Sequence, residues 1–158
     1  MLIRPMRDVS DRDVLQELVR ATEMFTAEEE KVAVELMDIF LEQPCQRDYI
    51  LDVLEDDVGR LTGYVCYGPT PMTEGTFDLY WIAVHPGAWR RGCGKALIAH
   101  MEKAVKQKQG RVIVIETSSQ DKYEPTRQFY LRAGYVECAR IRDFYRPGDD
   151  RIIYCKYL

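Results

Sequence analysis

The chain has 158 residues, of which 46% are hydrophobic and 30% charged, and a formal net charge of −4. That length suits one domain spanning residues 1–158, with a core that removes roughly 68–70% of the unfolded surface from water, so the composition argues against a disordered chain. The acidic balance argues against a nucleic-acid binder, whose affinity would rest on a cationic face, and no apolar run approaches the length of a membrane span.

In chain order, "LIRP" reads as a short strand stopped by Pro5. "SDRDVLQELVRATEMF" follows, with Val14, Leu15, Leu18, Ala21, Thr22 and Phe25 at helical spacing. Ser10 followed by Asp13 resembles a capping pair for that helix. Thr26 and Glu29 form a T-x-x-E capping box that opens a second helix, and Glu28 to Glu30 suit the positive end of its dipole. Val32, Ala33, Leu36, Met37, Ile39 and Phe40 continue its buried face, and Pro44 ends it.

Strand signals come next. "DYILDVLE" and "GRLTGYVCYG" flank an acidic turn and read as a hairpin. "PTPMTEG" is a loop, and "TFDLYWIAV" is so apolar that it reads as a central strand buried on both faces. Leu97, Ile98, Met101, Ala104 and Val105 mark a further amphipathic helix, ended near Gly110. "RVIVIET" is a buried strand, and "EPTRQFYLRAG" is a short helix with Pro125 in its first turn. "YVECARIRDFY" and "RIIYCKYL" are two last strands joined by the turn "RPGDD".

The resulting order is β-α-α-β-β-β-α-β-α-β-β, an α/β (mixed α+β) chain with a mixed sheet of about seven strands flanked by helices. The βαβ crossover from "TFDLYWIAV" to "RVIVIET" makes those two strands parallel neighbours. Five cysteines (Cys45, Cys66, Cys93, Cys138, Cys155) contain no CxxC pair, and only His85 and His100 could join them. No metal site is therefore expected, and the thiols read as small apolar filler in a reducing compartment. "MLIRPMRD" is not a signal peptide, so the cytoplasm is the expected location.

The stretch Trp89 to Lys95, "WRRGCGK", lies between a buried strand and a helix start. A helix start offers unpaired N–H groups and a positive dipole end, and Gly92 and Gly94 let a bulky anion approach the backbone. Arg90, Arg91 and Lys95 add charge. The stretch is neither a Walker A loop, because Cys93 stands where its lysine belongs, nor a Rossmann fingerprint, because Leu97 stands at its third glycine.

"IAVHPGAWRRGCGKALI" resembles the acyl-CoA-binding segment of the GCN5-related N-acetyltransferases (GNAT), whose pattern is Q/R-x-x-G-x-G/A after a strand. Gly92 and Gly94 match the small positions, while Trp89 departs from the Q/R position. "PTRQFYLRAGY" resembles the second signature of that family, with Tyr123 where an asparagine is frequent. The resemblance implies a GNAT-like, mostly antiparallel sheet. It also implies acetyl-CoA as co-substrate, with its diphosphate held by the backbone from Trp89 to Lys95 and its pantetheine arm by the main chain of Ile82, Ala83 and Val84.

By the same resemblance Tyr130 protonates the departing CoA sulfur; its phenol, with an ordinary pKa near 10, carries a proton at neutral pH. The base is open between Glu116, Asp78 and water. Asp78 alternates onto the same side as Tyr80, Ile82 and Val84 in a regular strand. The acceptor implied is a primary amine of a small molecule or peptide, bordered by the two N-terminal helices and the "GPTPMTEG" loop, with Tyr67, Tyr80, Tyr123 and Tyr145 as candidate lining. A homodimer stays open. The competing reading is a non-catalytic acyl-CoA-binding module; a nucleotide-binding protein is a third.

Overall fold

A computed structural model describes residues 1–158. Strand β1 (Leu2–Pro5) is followed by helices α1 (Val9–Ala21) and α2 (Ala27–Glu42), then strands β2 (Ile50–Glu55), β3 (Leu61–Pro69) and β4 (Thr76–Val84). Helix α3 (Cys93–Gln107), strand β5 (Val112–Ser118), helix α4 (Glu124–Arg132) and strands β6 (Val136–Arg146) and β7 (Asp149–Tyr157) complete the chain. The strands form one seven-stranded sheet in the order β1-β2-β3-β4-β5-β7-β6. Only β4 and β5 run parallel, as the crossover through α3 requires.

The helices start as local chemistry dictates, with one shift. Thr26 and Glu29 make the reciprocal capping box of α2: the Thr26 hydroxyl accepts from the Glu29 N–H at 3.2 Å and the Glu29 carboxylate accepts from the Thr26 N–H at 2.8 Å. Helix α1 is capped by Asp8, not by the Ser10–Asp13 pair. The Asp8 carboxylate accepts from the Asp11 N–H at 3.1 Å, and its extended backbone starts the helix earlier than the apolar periodicity indicates.

Each face of the sheet has its own core. On one face α3 and α4 cover Leu54, Val65, Tyr67, Phe77, Leu79, Ile113, Ile115, Ile152 and Tyr154. On the other, Leu15, Leu18 and Val19 of α1 and Met37 of α2 cover Leu51, Val53, Tyr64, Cys66 and Ala83. Val14 and Val32, assigned to buried stripes by periodicity, are exposed. The cysteines also divide. Cys66 and Cys93 are buried fillers, whereas Cys138 and Cys155 form a disulfide between β6 and β7 with Cα atoms 6.1 Å apart. That pairing depends on the register of two strands, which residue spacing alone does not supply. No helix is long and apolar enough to cross a membrane.

Candidate functional site

The site begins with a fault in the sheet. Strand β4 pairs with β5 only from Thr76 opposite Val112 to Leu79 opposite Ile115. Beyond that point Trp81 to Val84 stay with β3, while Glu116 to Ser118 stay with β7. The two parallel strands therefore part and leave a split. A bulge lies at its apex: Cys66 opposes Trp81 and Tyr67 opposes Leu79, so Tyr80 is unopposed. An extra residue bends and twists its strand, which turns β4 away from β5.

The bulge also switches faces. Phe77 and Leu79 point to the α3 face, so Asp78 and Tyr80 point to the α1–α2 face, where Trp81 and Ala83 also pack. Ile82 and Val84 return to the α3 face. Asp78 thus shares a side with Tyr80 but not with Ile82 and Val84, contrary to simple alternation. The strand is also less buried than its composition suggests, since Tyr80, Trp81, Ile82 and Val84 are only half-buried beside the split.

Ladder phase decides which main-chain groups look into the split. The His85 N–H reaches the Thr62 carbonyl at 2.9 Å, so the pairs Tyr64–Ala83 and Cys66–Trp81 are hydrogen-bonded in turn. Ile82 and Val84 then direct their main-chain groups away from β3, into the split. Ala83 directs its own toward β3, so of the three strand residues assigned to a ligand arm only Ile82 and the N–H of Val84 are free to meet one.

The chain leaves β4 through a tight turn. The Gly87 N–H donates to His85 Nδ1 at 3.0 Å, and the Trp89 N–H donates to the Pro86 carbonyl at 3.1 Å. Arg90 (φ 61°) and Gly92 (φ 84°) are left-handed, and α3 starts at Cys93 with no side-chain cap. The N–H groups of Arg90, Arg91, Gly92, Cys93, Gly94 and Lys95 donate to no protein carbonyl or side chain; pairing resumes at Ala96, which reaches Gly92. Arg90, Arg91 and Lys95 are exposed, and none joins an ion pair. Such a cluster of donors and cations can hold an anionic group. The two glycines differ in use. A Cβ on Gly92 would meet open space, whereas one on Gly94 would lie 3.3 Å from Phe129 Cζ, so Gly94 serves the close approach of α4 to α3.

Tyr130 of α4 is buried on the α3 face, with its ring 6.1 Å from those of Tyr135 and Tyr154. Burial alone raises the pKa of its phenol, so the hydroxyl keeps its proton at neutral pH. Asp78 and Glu116 occupy the opposite face, because Asp78 and Val114 are neighbours in the ladder and Glu116 lies two residues on. The structure therefore brings the two carboxylates together and sets Tyr130 on the opposite face of the sheet from them.

The carboxylates are not equivalent. Glu116 is ion-paired with Arg151 of β7, whose guanidinium carbon lies 4.7 Å from the centre of the Phe144 ring. Asp78 accepts from the Thr70 hydroxyl at 2.7 Å; burial raises its pKa, the Thr70 bond opposes this, and the Glu116 charge adds to the rise.

Of the tyrosines, Tyr80 stands edge-on to Tyr49 beside Asp78, and Tyr145 is half-exposed on β6. The Tyr123 hydroxyl donates to the Met24 carbonyl at 3.1 Å and, with Lys122, ties the segment before α4 to the α1–α2 connection. Tyr67 does not line this region: it is buried on the α3 face and donates to Asp52 at 3.2 Å. Sequence reading missed Arg151 and Thr70, whose partners are set by strand register and carry no local signal. No group of three or more His, Cys, Asp or Glu side chains gathers in a metal-holding arrangement.

The family model for the Acetyltransferase (GNAT) family matches residues 13–135. A GNAT-family protein from Desulfovibrio desulfuricans is 44% identical, with a TM-score of 0.93 over 99% of this chain and 98% of that one. An aminoglycoside 6′-N-acetyltransferase solved with coenzyme A has the same fold at 20% identity and TM-score 0.78, covering 99% of this chain and 97% of that one. The ribosomal-protein-S18-alanine N-acetyltransferase of Escherichia coli shares it at 18% identity and TM-score 0.77, covering 99% and 92%. No curated protein sequence matches the chain. With most of its length under the family model, this chain belongs to the GNAT family of acetyltransferases.

Proposed function

We propose that the protein transfers an acetyl group directly from acetyl-CoA to a primary amine of a small molecule or a peptide, within a ternary complex. The observation that carries this reading is the run of unpaired N–H groups from Arg90 to Lys95, set beyond the free edge of β4. The diphosphate of CoA takes those donors, with Arg90, Arg91 and Lys95 around it. The pantetheine arm enters the split and pairs with Ile82 and Val84, as an added strand would. Neighbours named for an aminoglycoside and for a ribosomal-protein alanine support both a small-molecule and a peptide acceptor.

The chemistry needs a neutral amine, a stabilised oxyanion and a protonated leaving sulfur. The amine nitrogen attacks the thioester carbon, and its surplus proton passes to Asp78, directly or through water. Asp78 suits this better than Glu116, because burial raises its pKa while Arg151 engages Glu116. A main-chain N–H in the split meets the oxyanion. The carbon–sulfur bond then breaks, and the sulfur takes the proton of Tyr130.

The test is thiol release from acetyl-CoA across a panel of aminoglycosides, polyamines and alanine-terminated peptides, beside thermal stabilisation by CoA. Stabilisation with turnover on one amine class is expected, and Tyr130→Phe should lower turnover roughly 10²-fold while keeping CoA affinity. Stabilisation without turnover on any amine would support a non-catalytic acyl-CoA-binding module, and no stabilisation would overturn the reading.

A further inference from the structure

The residue that departs from the family pattern has a bond of its own. The Trp89 indole Nε1–H donates to the Val84 carbonyl at 2.7 Å. Ladder phase directs that carbonyl away from β3, so no strand partner satisfies it. The bond closes the turn from Val84 to Trp89, already tied by Gly87 to His85 Nδ1 and by Trp89 N–H to the Pro86 carbonyl. On one side of Trp89 the chain is pinned to the end of β4. On the other the left-handed Arg90 and the bare N–H groups begin at once.

We infer that Trp89 is a positioning residue for coenzyme A, fastening the donor loop to the split edge of β4 through its indole N–H. The inference rests on the function proposed above and deepens it. The loop and the strand edge must hold two parts of one ligand, the diphosphate and the pantetheine arm, so their spacing has to be fixed before binding. A donor on the Val84 carbonyl fixes it. The bond also occupies that carbonyl, leaving Ile82 and the Val84 N–H to pair with the arm. The large ring is 50% exposed, so a bound ligand has an uncovered aromatic surface to meet.

Trp89→Phe keeps a ring and removes the donor. Calorimetric titration with CoA is expected to show about threefold to tenfold weaker binding in the variant, with the ligand-free melting temperature unchanged. The chain has two tryptophans, and Trp81 packs against Phe25 on the other face. The wild type should therefore show a saturable, CoA-dependent change in tryptophan emission that Trp89→Phe loses. Unchanged CoA affinity in the variant would overturn the inference, as would a parallel fall in ligand-free stability, which would mark Trp89 as packing only. Failure of the wild type to bind CoA would instead overturn the proposed function.

Discussion

Helices α2 and α3 begin in opposite ways. The first turn of α2 is closed by the Thr26–Glu29 box and lined by Glu28, Glu29 and Glu30, so the Glu29 N–H has a side-chain acceptor and the dipole meets negative charge from within the chain. The first turn of α3 has a left-handed glycine where a cap would stand, no acidic residue, and a run of unanswered donors. The contrast is informative because uncapped donors forgo stability that a capping side chain would supply. Side chains cap α1 and α2, whereas α3 starts uncapped beside exposed Arg90, Arg91 and Lys95, which leaves donors that a group outside the chain can take.

The largest expected effect comes from closing the open end. Gly92→Asp places a carboxylate at the start of α3 where its Cβ meets no atom, and it should weaken CoA binding about 100-fold by calorimetry, some 2.7 kcal/mol. Gly92→Asn matches it in size, tolerates left-handed backbone and carries no charge, so its loss should stay within about fivefold. Equal losses in the two variants would mean that shape and not charge governs the loop.

A smaller effect separates cations from backbone. Replacing both Arg91 and Lys95 with glutamine should weaken CoA about threefold to tenfold and flatten the salt dependence of binding, because exposed charges are screened. Thr26→Ala should act only at the closed end. It should cost about 1 kcal/mol, seen as a melting temperature roughly 2–4 °C lower, with CoA affinity unchanged.

The smallest effect lies on the other face of the sheet. Burial raises the folded-state pKa of Asp78 above its unfolded value, so folding binds a proton there and the ionised form opposes folding as pH rises through that folded value. Asp78→Asn should slightly raise the melting temperature at neutral pH and lose that gain below the ordinary aspartate range. A gain at low pH only would reverse the sign and remove burial as the cause.

Much of the fold was legible because its determinants are local. The capping box at Thr26 spans one helical turn, and the uncapped glycine-containing turn into α3 lies within the seven residues Trp89 to Lys95. The apolar runs of β4 and β5 and the helix between them imposed the parallel pair. What stayed hidden depends on register. The unopposed Tyr80 leaves no mark in "TFDLYWIAV", yet it opens the split and moves Ile82 and Val84 to the face opposite Asp78. The Glu116–Arg151 pair, the Cys138–Cys155 disulfide and the Trp89 bond to Val84 follow from how distant or looped segments are aligned. Residue type alone leaves Tyr67 open between pocket lining and packing, and its burial beside Asp52 decides for packing through a strand face that composition does not encode.

The most direct measurement is a CoA titration of the isotopically labelled protein followed by amide nuclear magnetic resonance. Saturable shifts concentrated at Arg90 to Lys95, together with the Ile82 and Val84 amides, are the predicted result. Unmoved amides across that turn, with shifts gathered elsewhere in the molecule, would contradict it.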